Sequence, residues 1–430
     1  MKQKKRFLAL ALAFSMALSA TACAGSGGSS ASGTSSAASA GEKVTLQFWG
    51  FQTGTEDEYL QKFIKEFNST HENVQVEYTK INQEEYTTTA ISTAYANGEA
   101  PDILFVEPAT YLKYAEKGML GDLKPYLSQK VQEDFLPSAL EAVTYDGKIL
   151  GLPYEMEPLG LFYNEDMLKA ANIEVPKTWD ELYNAAKKLT TDKVSGLVLP
   201  VEKTAYTLFN FWPFLWMTDG EVVNEDGTKS VFHSESSAKA LDFLQKFFKE
   251  GLSPSKLQIG PYDVGNIGNG TAAMQVSGTY VINAAETTYK DVNIKVAPLP
   301  TPDGKNLVTV AGGQKLAING MGSHQKEAAE FVTWLYGSDD ISRASEWCTK
   351  AKFSYPARKS VVEANKSEFE KGLRKTFTDE IYGTARPEPS YNSDTTEAVS
   401  ECIQQVMFGG QSSADALKTA EDRINQSLKK

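Results

Sequence analysis

Histidine and cysteine are nearly missing from this chain, with three of each in 430 residues. His71, His233 and His324 stand far apart, and none falls in HExxH or another metal-ligand spacing, so no hydrolytic zinc motif is present. No G-x-S-x-G elbow presents a serine nucleophile. Beyond Cys23 the cysteines are Cys348 and Cys402. They could pair in an oxidising compartment, but two thiols so far apart make no disulfide framework, and they are expected to be buried and inert. Basic charge is also short: 43 Lys and Arg face 55 Asp and Glu, a formal net charge of −12. That argues against a nucleic-acid partner, whose footprint is basic surface, and against a polyanionic ligand. The apolar run at 7–18 falls short of the roughly 20 residues of a membrane span.

That run has another use. Lys2, Lys4, Lys5 and Arg6 precede it and small residues follow, the layout of a secretory signal over residues 1–22. Its removal takes four basic residues and leaves the mature chain at −16. The segment LSATAC at 18–23 resembles the lipobox of bacterial lipoproteins, in which the cysteine is linked to diacylglycerol. The resemblance makes Cys23 the lipidated first residue. Ala20-Thr21-Ala22 also reads as an A-x-A cleavage site that would release the chain with a free thiol. The Gly/Ser/Ala string through residue 42 is a flexible coil, and behind an acylated cysteine it is a tether. A diacylglycerol supplies the two chains that stable anchoring needs.

Roughly 390 residues follow the tether, more than one compact core usually holds, so two lobes are expected. Val44, Leu46 and Phe48 alternate with polar residues and read as a strand. Leu60, Phe63, Ile64 and Phe67 form the stripe of an amphipathic helix. A strand is expected at 74–78, a helix at 84–97 stopped by Gly98, a strand at 101–106 and a helix at 108–117 closed by Gly118. Strand alternating with helix predicts an α/β chain with parallel sheets. Thr178-Trp179-Asp180-Glu181 is a capping box opening a helix that runs to Leu189. Helices are expected at 236–250, 325–336, 340–348, 395–408 and 412–428, and AAMQVS at 272–277 reads as a buried strand. GNIGNG at 265–270 has the wrong spacing for a dinucleotide fingerprint and reads as a loop. No cofactor is implied.

Aromatic residues gather where strands end. Trp49 and Phe51 flank Gly50, Tyr280 follows AAMQVSGT, and Tyr391 follows RPEPS. In open α/β sheets ligands bind outside the carboxyl ends of the strands. A sugar needs flat rings under its C–H face and hydrogen-bonding partners for its hydroxyls. Glu107, Glu155 and Glu157 are candidate acceptors. FNFWPFLW at 209–216 reads mainly as core packing, with Trp212 kept as a ligand candidate.

Together these stretches resemble the extracellular solute-binding proteins of ABC sugar importers, family 1, the maltose-binding-protein-like group. The segments carrying the resemblance are APDILFVEPATYLKYAEKGML, YDGKILGLPYEMEPLGLFYNEDMLKAANIEVPKTWDELYNAAKKL, NGTAAMQVSGTYVI, and PLPTPDGKNLVTVAGGQKLAI with KEAAEFVTWLYGSD. Their order covers about 44–428. The resemblance implies a two-lobed periplasmic-binding-protein-like fold of type II, closing on ligand about hinge crossovers. It places lobe one at 43–152 plus 309–348 and lobe two at 153–297 plus 354–430. Crossings fall near 151–153, at 298–308 and at 349–353. By position it puts Trp49, Phe51, Gln52, Glu107, Thr110, Glu157, Tyr280, Gly312, Gly313 and Tyr391 at the cleft. Tyr280 stands where the family usually has Trp, and Val106 where maltose-binding proteins have a cleft Trp, which argues against maltodextrin. The implied function is capture of a mono- or oligosaccharide by a monomeric, membrane-anchored lipoprotein that passes it to an ABC permease. The alternatives are an exported glycan-active hydrolase using cleft carboxylates, or the same fold carrying a non-sugar solute.

Overall fold

The computed structural model describes residues 43–429. The signal, Cys23 and the tether lie outside the described residues. In chain order the strands are β1 (Val44–Gly50), β2 (Val74–Lys80), β3 (Ile103–Val106), β4 (Thr144–Tyr145), β5 (Lys148–Ile149), β6 (Leu152–Pro153) and β7 (Glu157–Asn164). There follow β8 (Ser195–Val198), β9 (Ala272–Gly278), β10 (Ile294–Ala297), β11 (Thr309–Gly312), β12 (Lys315–Ile318) and β13 (Ala385–Pro387). They build two main sheets, one ordered β2-β1-β3-β12-β6 and the other β13-β11-β7-β9-β8 with β10 on β7. β4 and β5 form a separate small hairpin.

Both sheets are mixed, where the alternation of strand and helix predicted parallel ones. β1 runs parallel to β2 and β3, but β12 is antiparallel to β3 and β6. β7 is antiparallel to β9, β10 and β11. The sheets exchange strands, and a strand arriving from the other sheet enters without a right-handed helical crossover to align it. The chain leaves the first sheet after Pro153 and enters the second at Glu157. It returns between Gly312 of β11 and Lys315 of β12. This second exchange comes later than 298–308, because β11 still pairs with β7 and β13. Residues 309–312 therefore belong to the second sheet rather than the first. Tyr355 bridges back to Met156, bringing a third passage of the chain against the first.

Local physics explains the elements that frame these exchanges. The helix Gly54–Thr70 buries Leu60, Phe63, Ile64 and Phe67, the stripe expected from its spacing. The expected helix at 84–97 is interrupted by a π-helical turn at Tyr86–Ala90. That turn holds Tyr86 so that its hydroxyl donates to Phe105 O and accepts from the Phe105 N–H, both at 2.9 Å. Gly98 closes the helix at φ 72°, a conformation glycine adopts freely. Pro108 occupies the first turn of Pro108–Glu116, where its missing N–H costs nothing. The capping box forms in full: Thr178 Oγ1 accepts from the Glu181 N–H at 3.2 Å and Glu181 Oε2 from the Thr178 N–H at 3.0 Å. GNIGNG contributes a single helical turn, Gly265–Gly268, where a loop was expected. The helix expected at 340–348 is Ser342–Glu346 continued by a π-helical turn at Trp347–Ala351.

Two apolar cores result. One gathers Leu46, Phe48, Phe105, Leu316, Phe331 and Trp347 about the first sheet, the other Leu161, Leu197, Trp212, Phe214, Met274 and Val276 about the second. FNFWPFLW lies in the helix Ala205–Trp216, and all eight of its residues are buried. Cys348 and Cys402 are free and buried, in the separate cores. No helix among the described residues is long and apolar enough to cross a membrane.

Candidate functional site

Where the chain passes between the sheets, charge is buried. Lys352 directly follows the π-helical turn at Trp347–Ala351 and is only 7% exposed. Its Nζ lies 2.6 Å from Glu155 Oε1, 3.4 Å from Glu157 Oε1 and 3.9 Å from Glu56 Oε2. The other Glu155 oxygen accepts from Trp347 Nε1 at 3.3 Å. Burial alone would discharge the lysine, but Glu155, Glu157 and Glu56 hold its pKa well above the ordinary value. The carboxylates absorb the imbalance. Burial, opposed by Lys352 and reinforced by Glu155 and Glu56, pushes Glu157 up to about 8. Burial also raises Glu56. Despite the 3.4 Å approach of Lys352, Glu157 Oε1 has no hydrogen-bond donor.

A second buried ammonium stands nearby. Lys315 opens β12, and its Nζ donates to Gly313 O at 2.8 Å. Burial pulls its pKa down to about 8 against the attraction of Glu388, Glu155 and Glu107. Glu107 ends the turn between β3 and the helix Pro108–Glu116, and burial raises it to about 7 against Lys352 and Lys315. Glu388 follows β13. Burial raises it to about 8, Lys315 opposing and Glu107 adding to the shift. Lys315 thus feels the charge of a carboxyl group carried by the first sheet and of one carried by the second.

Rings line the second sheet's side. The hydroxyls of Tyr206 and Tyr280 are 2.7 Å apart, and Ser277 Oγ donates to Tyr280 at 3.3 Å. Tyr206 stands edge-on to Tyr262 with centroids 5.8 Å apart, and Tyr262 is 55% exposed. The charge of Glu157 acts on both Tyr206 and Tyr280. Tyr391 meets Trp212 edge-on at 6.0 Å, and the Trp212 indole neighbours Glu388.

The residues singled out from sequence divide by what their atoms already do. Glu157 pairs with Lys352 at 3.4 Å, Glu107 feels the charge of both lysines, and Tyr280 bonds Tyr206 and Ser277 instead. Glu155 also pairs with Lys352, and both its oxygens are engaged. Phe51 packs 4.9 Å from the Tyr86 ring and is buried. Gln52, also buried, donates to Gln314 Oε1 at 3.1 Å while its oxygen accepts from the Phe51 N–H and from Tyr78. Trp49 is half-buried against the first core. The Thr110 hydroxyl donates to Glu107 O at 3.2 Å and fastens the helix start. Trp212 is buried, and Tyr391 half-buried beside it. At Gly312 a Cβ would meet Phe209 at 2.6 Å and Glu388 at 3.0 Å. At Gly313, with φ 116°, it would meet Glu155 O at 2.2 Å, so that close approach is made to the crossing strand itself.

Sequence reasoning missed Lys352, Lys315, Glu56, Glu388 and Tyr206. A signal existed for Lys315, a lone charge between the glycines of AGGQ and the apolar LAI. None existed for Lys352, which sits among Lys350, Arg358 and Lys359 and reads like any solvated base. A large open groove of about 1200 Å³ lies apart from these residues, beside β10, with Lys177, Lys290, Lys295, Asp291 and Glu380 on its walls. It contains neither buried lysine nor any of the residues singled out from sequence, so the candidate site is at the exchanges.

A family model for bacterial extracellular solute-binding proteins matches residues 52–340. The chain is similar to the maltotriose-binding protein of Pyrococcus abyssi, 27% identical over 260 residues that cover 59% of this chain and 54% of that one. It is also similar to an uncharacterised lipoprotein of Streptomyces antibioticus, 26% identical over 312 residues covering 69% and 68%. Among solved structures it is similar to an ABC transporter solute-binding protein of Thermotoga lettingae bound with α-D-tagatose. There the TM-score is 0.77 at 25% identity, over 90% of this chain and 100% of that one. The architecture is the two-lobed α/β arrangement of such proteins.

Proposed function

This chain belongs to the bacterial extracellular solute-binding protein family, and we propose that it captures a mono- or oligosaccharide between its lobes and delivers it to an ABC permease. The observation carrying this reading is the Tyr206–Tyr280 pair together with the buried carboxyl group of Glu157, whose charge acts on both. Rings offer a face to sugar C–H groups, and a carboxyl group without a donor accepts a hydroxyl. The saccharides named for the relatives from Pyrococcus abyssi and Thermotoga lettingae support the same class. Trp49, Glu107, Thr110, Glu157, Trp212, Tyr280, Gly312 and Tyr391 are proposed to face or shape the cleft. Phe51, Gln52, Glu155 and Gly313 support it from behind. The lobes close about the exchanges at 154–156 and 313–314 and the passage near Lys352. The chain acts by binding, without turnover. Cys23 carries the lipid that holds it, as a monomer, at the outer face of the membrane, in keeping with the lipoprotein relative.

Thermal unfolding against a panel of saccharides tests the cargo, with amino acids and glycerol phosphate as controls. A saccharide at 100 times its dissociation constant stabilises the fold by about 2.7 kcal/mol. A shift from a control alone refutes the carbohydrate reading. Release of reducing ends, lost in Glu157→Gln, would replace binding by hydrolysis. Metabolic labelling with a fatty acid, lost in Cys23→Ser, tests the anchor.

A further inference from the structure

Of the six large apolar side chains exposed among the described residues, Tyr262 alone is in ring contact with the tyrosine pair of the second sheet's side. It is 55% exposed, while Tyr206 and Tyr280 are half-buried. An exposed ring standing singly needs no explanation. The loop that carries this one does, because buried polar side chains are spent on holding it.

The carbonyls of Gly260, Pro261 and Asp263 surround Tyr262, and each is taken by a side chain. Asn266, 4% exposed, donates to Gly260 O at 3.1 Å and to Asp263 O at 2.9 Å. Gln275 of β9, wholly buried, donates to Pro261 O. Tyr206 donates to the same oxygen at 3.4 Å. A tyrosine hydroxyl has one proton to give, so the direction of the other bonds follows. Ser277 donates to Tyr280, Tyr280 to Tyr206, and Tyr206 to the loop. This relay ties the Tyr262 loop to the tyrosine pair. The Tyr262 ring folds back over Gly260, where a Cβ would stand 2.5 Å from it. The exposed ring is thus held in place before a ligand arrives, which removes much of the ordering cost of a contact.

The ring planes decide what Tyr262 can take. Tyr262 and Tyr206 stand at 89°, with centroids 5.8 Å apart. A sugar lying flat on Tyr206 is edge-on to Tyr262 and leaves the face of that ring free. We propose that Tyr262 is the platform for a second sugar unit, outward of the unit held at Tyr206 and Tyr280. The cargo is then an oligosaccharide, and Tyr262 sets the preference for it over its own monosaccharide. This inference rests on the carbohydrate reading above and narrows it.

The test is calorimetric titration of the purified protein with matched series: glucose with maltose or cellobiose, xylose with xylobiose, mannose with mannobiose, and galactose with galactobiose. The disaccharide of at least one series should bind about tenfold tighter than its monosaccharide, the weight of one good aromatic contact. Tyr262→Ala should reduce that gain to about twofold or less, and Tyr262→Phe should keep it. Both variants should leave monosaccharide affinity within about twofold of wild type. The melting temperature of the free protein should stay near wild type in both, because the ring is exposed. A gain that survives Tyr262→Ala overturns the inference. So does a loss that falls equally on mono- and disaccharide, or a monosaccharide that binds as tightly as its disaccharide in every series that binds. In each of these cases the carbohydrate reading stands. Binding of no saccharide of either size overturns both.

Discussion

Lys352 and Lys315 are buried almost equally, at 7% and 8% exposure, and their environments drive them in opposite directions. Lys352 is held charged, with pKa well above normal, because three carboxyl groups lie within 3.9 Å and the nearest at 2.6 Å. Lys315 bonds a neutral carbonyl, its carboxyl neighbours act only at longer range, and burial brings it down to about 8. What decides the charge of a buried ammonium is therefore its contact partner rather than its depth. The first site resembles a structural rivet, the second an adjustable contact between the two sheets.

The comparison breaks most visibly on removal of each charge. Lys352→Met leaves Glu155, its partner at 2.6 Å, without a counter-charge, and losing one partner of a buried ion pair costs about 3–5 kcal/mol. Urea unfolding at pH 7 should show that loss. Lys315→Met should cost far less, because Glu107 and Glu388, with pKa about 7 and about 8, can retain protons. Equal losses at the two positions would remove the distinction.

Next in size is the backbone beside Lys315. Gly313 has φ 116° and no space for a Cβ, which would stand 2.2 Å from Glu155 O. Gly313→Ala is both strained and overpacked and should cost about 2–3 kcal/mol. Gly312→Ala meets the far edge of the Phe209 ring, a side chain that can turn aside, and should cost less. Unfolding midpoints in denaturant give the two values.

The same contrast appears in pH dependence with opposite signs. Glu157 is raised from 4.5 to about 8, so the stability of its protonated form is complete below pH 4.5 and is lost as pH rises through about 8. Glu157→Gln should flatten the wild-type decline over that window. Lys315 is lowered from 10.5 to about 8, so its contribution is present above 10.5 and is lost as pH falls through about 8. Lys315→Met should therefore compare best with the wild type at pH 6 and worst near pH 10. Melting temperatures between pH 5 and 10 separate the two slopes, and parallel slopes would refute the assignment.

Which parts of this were legible in sequence follows from the range of each interaction. The stripe Leu60, Phe63, Ile64 and Phe67, the Thr178–Glu181 box and the Gly98 stop are local and were read from spacing. The resemblance led to Glu107, Glu157 and Tyr280, because each sits at the end of a strand whose neighbours in sequence mark it. Lys352 and Glu388 were not readable. They matter through partners about 200 and 70 residues away, and nothing beside them in sequence says that they are buried. The partner of Gln52 was hidden for the same reason. The resemblance put Gln52 at the cleft, and Gln314, 262 residues on, takes its N–H. The place of the second exchange depended on β11 pairing with β7 and β13, a contact between distant strands.

The smallest effect probes the aromatic side. Tyr280 contributes a ring and a hydroxyl, and the hydroxyl is bonded to Tyr206 at 2.7 Å and to Ser277 at 3.3 Å. Tyr280→Phe removes only those bonds and should cost about 0.5–1.5 kcal/mol in unfolding free energy. Saccharide affinity should follow the ring: retained within a few-fold in Tyr280→Phe and lost in Tyr280→Ala, since stacking uses the face and not the hydroxyl. Titration of both variants with one bound saccharide reads this directly. If phenylalanine loses as much affinity as alanine, the hydroxyl pair is itself a ligand contact. The second sheet's side would then recognise cargo by hydrogen bonding, as the charged exchanges do, and the contrast between a ring wall and a charged floor would disappear.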